Sequence, residues 1–237
     1  MKARLVATER VAEETAAFTF EMQAAFSFDA GQTCDLTMAA PRFQDEKGSS
    51  RTFSIASSPA DLPRVMVATR LTGSAFKRSL LDAKAGLEVE VDGPLGSLVL
   101  HRNATKPAVF FAGGIGITPF RSIIKDATER RLPHRITLFY SNRTPAATSF
   151  LSDLEEWQRQ NPSFRMVATV AEATSGEPWS HRVGLMDAGF IAPHVSDWAN
   201  AICYLAGPPA FVKAMRAALD QVGADPDNVR TEEFTGY

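Results

Sequence analysis

The sequence predicts two domains in series: an antiparallel β-barrel over residues 1–102, followed by an α/β domain with a parallel sheet over residues 103–237. Three observations predict it. The first hundred residues carry short, closely spaced strand patterns broken by turn residues, as small barrels and sandwiches do. From "PAVFFAGG" (107–114) the rhythm changes to continuous apolar strands alternating with amphipathic helices, the pattern of a parallel sheet covered on both faces. Between the two lies a polar link, "HRNATK" (101–106).

Taken in order, "KARLVATERVA" and "TAAFTFEM" read as strands with an acidic pair between them, and "TCDLTMAAP" as a third after Gly31. "RVMVATRL" alternates apolar and polar residues, as a half-buried strand does. "GSAFKRSLLDA" is a short helix, and "LEVEVDGPLG" a strand closed by its Gly-Pro and Gly signals. In the second half, "TPFRSIIKDATERRL" places Phe120, Ile123, Ile124 and Ala127 on one helical face. The strands "RITLFYS", "FRMVATV" and "AICYLAG" alternate with the helices "AATSFLSDLEEWQRQ" and "PAFVKAMRAALDQVG". "NVRTEEF" is the last strand. The charged run "DLEEWQRQ" reads as a solvated helix face.

Composition narrows the function. The chain has 237 residues, 45% of them hydrophobic, enough for a sizeable core. Its 25 basic and 27 acidic residues give a net charge of -2, unlike a nucleic-acid binder. Cys34 and Cys203 form no C-x-x-C, and the four histidines show no ligand spacing, so no metal site is expected. No nucleophile motif is present. The first residues lack an apolar signal region, and no run of about 18 apolar residues occurs, so the expectation is a soluble cytoplasmic protein. The oligomeric state is left open.

Three stretches carry chemistry. "RTFSIASSP" (51–59) is too polar for a buried strand and too aromatic for a plain turn; it suits a flat, charged ligand. "GGIGITPF" (113–120) follows a buried strand and opens a helix. Its glycines let backbone N–H groups approach a phosphate, with Thr118 expected as N-cap and Pro119 at the first helical position. It departs from the usual dinucleotide fingerprint, because Pro119 stands where the third glycine would be. "YLAGPPAFV" (204–212) ends a second buried strand in Gly207-Pro208, and in open parallel sheets ligands sit beyond such strand ends.

Together these resemble the ferredoxin–NADP(+) reductase superfamily. "RTFSIAS" is similar to its R-x-[Y/F]-S-x-x-S flavin motif, and "TGSAFKRSL" to its second flavin-phosphate segment. "DGPLGS" resembles the turn closing its flavin domain; "GGIGITP" and "AGPP" resemble its two pyridine-nucleotide motifs, in the same order. The resemblance covers essentially the whole chain. It implies an FAD-binding barrel, an NAD(P)-binding domain, and hydride transfer from NAD(P)H to flavin N5.

By that resemblance Arg51 would pair with the flavin pyrophosphate, Phe53 lie flat on the isoalloxazine and Ser54 hydrogen-bond near N5, with Thr52 between them. Gly73, Ser74 and Ala75 would meet the pyrophosphate; Gly114, Gly116, Thr118, Pro119, Gly207 and Pro208 would hold the nicotinamide nucleotide. Ser141 and Arg143 would face the adenosine ribose, Arg143 favouring a 2′-phosphate and so NADPH. An aromatic near the C-terminus would cover the flavin: Phe234, with Tyr237 as the alternative, and Glu233 would orient the nicotinamide or relay a proton. Phe53 replaces the commoner Tyr, and Ala206 a common Cys, so a thiol contact to the nicotinamide is not expected. With no cluster ligands, the electron acceptor would be a separate molecule: a ferredoxin, a flavodoxin or an oxygenase component. Two rivals stay open, a free-flavin reductase and a non-catalytic electron-transfer or regulatory subunit.

Overall fold

The computed structural model describes residues 1–173 and 178–234. Two six-stranded sheets form, one antiparallel and one parallel. The first runs β4-β3-β6-β1-β2-β5, built from β1 (Lys2–Ala12), β2 (Thr15–Met22), β3 (Thr33–Thr37), β4 (Ser50–Ser54), β5 (Arg64–Arg70) and β6 (Glu88–Leu95). A bridge between Ile55 and Val67, with the Ala56 amide donating to Met66 O at 2.7 Å, joins its two edges and closes the barrel. Closure explains why alternate residues point to a common interior, filled by Phe18, Phe20, Leu36, Ile55 and Val67. Helix α1 (Ala75–Leu81) adds Phe76 and Leu80 to that core.

The parallel sheet runs β10-β9-β8-β7-β11-β12: β7 (Ala108–Gly113), β8 (Ile136–Asn142), β9 (Phe164–Val170), β10 (Arg182–Val183), β11 (Ile202–Gly207) and β12 (Val229–Glu233). Both β7 and β11 are buried at every residue. Their alternate side chains pack on helices α2 (Ile117–Glu129) and α3 (Leu151–Gln160) on one face, and on α4 (Ala188–Ile191) and α5 (Pro209–Gln221) on the other. The chain steps from β7 outward to β8 and β9, then returns to place β11 on the opposite side of β7. That reversal opens a crevice at the carboxyl ends of β7 and β11, where ligands of open parallel sheets sit.

Four expectations are corrected. "SRTFS" is a strand after all: β4 is an edge of the six-stranded sheet, so Ser50, Arg51 and Thr52 stay at least partly exposed while Phe53 and Ser54 are buried. Strand β6 runs through Gly93 and Pro94 to Leu95, because Thr33 of β3 pairs with Leu95. The helix expected from Ala146 begins at Leu151, since Phe150 is left-handed (φ 58°) and its ring packs under the Arg121 guanidinium. Helix α2 is entered through a 3-10 turn at Gly114–Gly116. Thr118 is therefore inside the first turn, donating to Ile115 O at 3.0 Å rather than capping. Pro119 sits at the third helical position, where its missing N–H still leaves no bond unmade. Cys34 and Cys203 are free and buried in separate cores, so burial pushes each thiol up to about 12.

The halves are tied together by α2. Arg121 Nη1 donates to Ala56 O at 2.7 Å, Ser122 Oγ to Ser57 O at 2.6 Å, and Lys125 pairs with Asp61. Ser57 and Ser58, which looked like ligand hydroxyls, are structural: Ser57 Oγ accepts from the Met66 amide and Ser58 caps the turn at Pro59–Asp61. Among the described residues no helix is long and apolar enough to cross a membrane.

Candidate active site

The carboxyl ends of β7 and β12 meet the outer face of β4 around a cleft of about 400 Å³. Its walls bring together residues far apart in sequence. Arg51, Thr52, Phe53 and Ser54 come from β4, Ser74 from the α1 entry, Ile115 and Thr118 from the turn after β7, and Glu232, Glu233 and Phe234 from the chain end. Eight residues singled out from sequence thus converge, whereas Gly73, Ala75, Gly114, Gly116 and Pro119 do not line the cleft. Ser141 and Arg143 lie apart, at the end of β8, with Arg143 exposed. Gly207 ends β11 and Pro208 leads into α5, and neither lines the cleft. Tyr237 lies outside the described residues.

The carboxylate at the centre is Glu232, not Glu233. Strand β12 pairs in parallel with β11, placing Glu232 opposite Ala206 and Glu233 opposite Gly207. Glu232 turns inward, and the Ser54 hydroxyl donates to its Oε1 at 3.4 Å. Burial pushes its carboxyl from 4.5 up to about 7, and the Ser54 hydroxyl only partly offsets this. Glu233 lines the cleft's rim but is exposed. A signal for this was in the sequence: a strand has a period of two, so the residue sharing Phe234's side is two back, not one. Phe234 itself is half-buried against the core of the α/β half, with its amide donating to Gly207 O at 3.0 Å.

At the other end the cleft is basic. Lys47, Arg51 and Lys77 line it, and Arg70 is close enough to act on Lys77. Burial first, then the charges of Arg51, Arg70 and Lys47, hold the Lys77 ammonium below its usual range. Neither Lys47 nor Lys77 has a carboxylate partner among the described residues. Ser74 Oγ is buried without a hydrogen-bond partner. Unpaired cations beside an orphaned hydroxyl are the complement of an anion. Lys47 and Lys77 had escaped sequence reasoning, because only the fold turns them to the same side.

Two expectations about β4 change. Phe53 is a core residue before it is a platform: its ring packs on Phe76 at 5.9 Å and only 7% of its surface is open. The Arg51 guanidinium is not free, as it holds Asp45 Oδ1 at 3.1 Å and the carbonyls of Lys47, Gly48 and Ser50. Among the described residues no group of three or more His, Cys, Asp or Glu is placed to hold a metal.

Comparison with known proteins agrees with this architecture. Residues 110–217 match the family model described as "Oxidoreductase NAD-binding domain". The chain is 26% identical over 190 residues to terephthalate 1,2-dioxygenase, reductase component 1, of Comamonas sp., a match covering 80% of this chain and 56% of that protein. It is 27% identical over 212 residues to ferredoxin–NADP reductase B of Sorangium cellulosum, covering 88% and 82%. Among solved structures it superposes on the Amycolatopsis cytochrome P450 reductase GcoB with a TM-score of 0.84 and 23% identity, covering 100% of this chain and 70% of that one. The chain thus spans little more than half the length of the oxygenase reductase it matches. An antiparallel barrel, a parallel sheet with its switch point facing it, and these matches together make the chain similar, in fold and in sequence, to FAD- and NAD(P)-binding oxidoreductases of the ferredoxin–NADP(+) reductase type.

Proposed function

We propose that the chain is an NAD(P)H-dependent flavoprotein reductase, with residues 1–102 holding FAD and residues 103–237 holding NAD(P)H. Electrons pass to a separate acceptor: a ferredoxin, a flavodoxin or an oxygenase component. The observation that carries this reading is one cleft with Ser54 and Glu232 at its centre, Phe234 over it and unpaired cations at its far end. The names of the relatives, a dioxygenase reductase component and a ferredoxin reductase, support an acceptor outside the chain.

The residues present fit FAD: an apolar wall from Phe53, Ala68, Ile115 and Phe234 for a flat ring, and Lys47, Lys77 and the orphaned Ser74 hydroxyl for its diphosphate. When bound, FAD supplies a hydride acceptor that releases electrons singly. The chain's own task is placement and protons. Ser54, 4% exposed, presents its hydroxyl to the cleft floor. Glu232, titrating near neutrality, holds a proton on its carboxyl within reach of Ser54 Oγ, so the pair can deliver or collect one proton there. The turn at Gly114–Gly116 presents backbone N–H groups for the nicotinamide nucleotide. Phe234 excludes water and must yield its place to the nicotinamide.

Anaerobic rapid mixing tests the reading. The purified protein should retain FAD through gel filtration, and NAD(P)H should bleach its flavin absorbance. Colourless protein that takes up no FAD by calorimetry overturns it; bleaching only of added free flavin assigns the free-flavin reductase reading instead. In Phe234→Ala the nicotinamide should bind more tightly and the flavin band should shift; if both stay unchanged, the lid role is lost.

We further infer a preference for NADPH. Arg143, exposed at the end of β8, has no carboxylate partner among the described residues and suits a 2′-phosphate. Arg143→Ala should lower kcat/KM for NADPH by about tenfold while sparing NADH. An equal or better kcat/KM with NADH in the parent protein removes the preference.

A further inference from the structure

We propose that Asp45 is an internal rival of the flavin diphosphate: FAD binds by displacing its carboxylate from Arg51 and the Ala75 amide, so Asp45 sets the affinity for dinucleotide flavin and leaves riboflavin untouched. The proposal rests on the flavin reading above.

The geometry is that of an anion already in place. Asp45 Oδ1 accepts from Arg51 Nη2 at 3.1 Å and from the Lys47 amide at 3.0 Å. Its Oδ2 accepts from the Ala75 amide at 2.9 Å. Of these three donors, Arg51 and the Ala75 amide are ones that the motifs "RTFS" and "TGSA" would offer a diphosphate. Arg51 Nη1 is occupied too, meeting the carbonyls of Lys47, Gly48 and Ser50 at 2.8, 3.0 and 2.6 Å, three acceptors for the two N–H groups such a nitrogen carries. The terminal fork of the guanidinium, the face that grips a phosphate in two-point fashion, is therefore engaged. The Asp45 carboxyl lies below its usual range, first because of the Ala75 amide, then the Lys47 amide and Arg51.

A diphosphate cannot simply share these donors. Like charges at hydrogen-bond range of one guanidinium repel each other. The surroundings favour the larger anion: Lys47, Arg70 and Lys77 crowd the same end of the cleft, and Ser74 Oγ waits unpartnered next to Ala75. The loop carrying Asp45 is anchored at Phe43 by the Ser79 hydroxyl and at Arg42 by Asp82, so only the exposed Asp45 side chain need give way. Residues 42–49 form no helix or strand, and most of them are exposed. Swinging the carboxylate out costs little packing.

The test is calorimetry on the whole protein and Asp45→Asn, titrated separately with FAD, riboflavin and inorganic pyrophosphate. Asp45→Asn should gain about tenfold or more in affinity for FAD and for pyrophosphate, with riboflavin unchanged. Adding Arg51→Ala should abolish the gain. Asp45→Ala, checked for folding by circular dichroism, covers the case in which the asparagine oxygen keeps the Ala75 amide. If folded variants bind FAD more weakly, Asp45 positions Arg51 for the cofactor and the proposal is wrong. It is equally wrong if pyrophosphate affinity does not change, or if riboflavin gains as much as FAD. If neither protein binds any flavin while the variant gains pyrophosphate, the flavin reading fails and the rivalry stands.

Discussion

Gly116→Ala is expected to destabilise this protein by about 3 kcal/mol or more, the upper range for forcing an extra carbon into a packed interior. A Cβ at this position would lie 2.1 Å from Ala206 O, 2.5 Å from Ala206 C and 2.8 Å from the Gly207 amide nitrogen. All three are backbone atoms of β11, which is held between β7 and β12 and cannot step aside. Gly116 has φ -59°, which alanine adopts freely, so the effect is contact alone. The same contact sets the spacing of the turns after β7 and β11, so, on the proposed nucleotide site, coenzyme affinity should fall as well. Gly114→Ala is the control. There φ is +55° with nothing within 4 Å, and only the left-handed backbone resists, at about 1–2 kcal/mol. Urea midpoints of the two variants decide the matter. Equal losses at both sites would show that backbone conformation, not the approach of the two turns, is what the glycines serve.

Glu232→Gln is expected to stabilise the protein at pH 8 and to leave it unchanged at pH 4. The folded carboxyl titrates near 7, against 4.5 without its surroundings, because burial disfavours its charge. A group whose value is raised on folding contributes fully below the unfolded value, and that contribution is lost as pH rises through the folded one. The window therefore runs from about pH 4.5 to about 7, with the loss complete at pH 8. At roughly 1.4 kcal/mol per unit, the ionised side chain costs up to about 3 kcal/mol there, a cost that glutamine does not carry. Denaturation of both proteins at pH 4 and pH 8 measures it, and a stability difference independent of pH would disprove the titration. The same variant should remove the step near pH 7 from the rate of flavin reduction, since no proton can then be held beside Ser54.

The longer strands and helices of the second half were legible to within a few residues because their signal is local, whereas the short β10 and α4 were not read from sequence at all. A strand buried on both faces, such as β7, must be apolar throughout, and a helix packed on it must repeat its apolar face every three to four residues. The exceptions had distant causes. Thr118 and Pro119 have the chemistry of a helix start, but the chain begins its turn earlier, at Gly114, because the close approach of Gly116 to β11 fixes the backbone there. The segment at Ala146 lacks any local reason not to be helical; Phe150 breaks it by reaching Arg121 across the fold.

The site divides in the same way. By itself the sequence determined the motifs, their order, and hence the barrel, the parallel sheet and the two glycine-proline turns at its strand ends, since glycine, proline and apolar periodicity act over a few residues. The tertiary structure alone decided that Ser54 meets Glu232, that Lys47 and Lys77 join Arg51, that Asp45 already occupies its guanidinium, and that Ser57 serves the domain junction. Each of these depends on which distant group comes near. Ser54 and Glu232 meet across 178 residues, and whether a carboxylate there is charged at neutral pH follows from the water that the assembled fold removes around it.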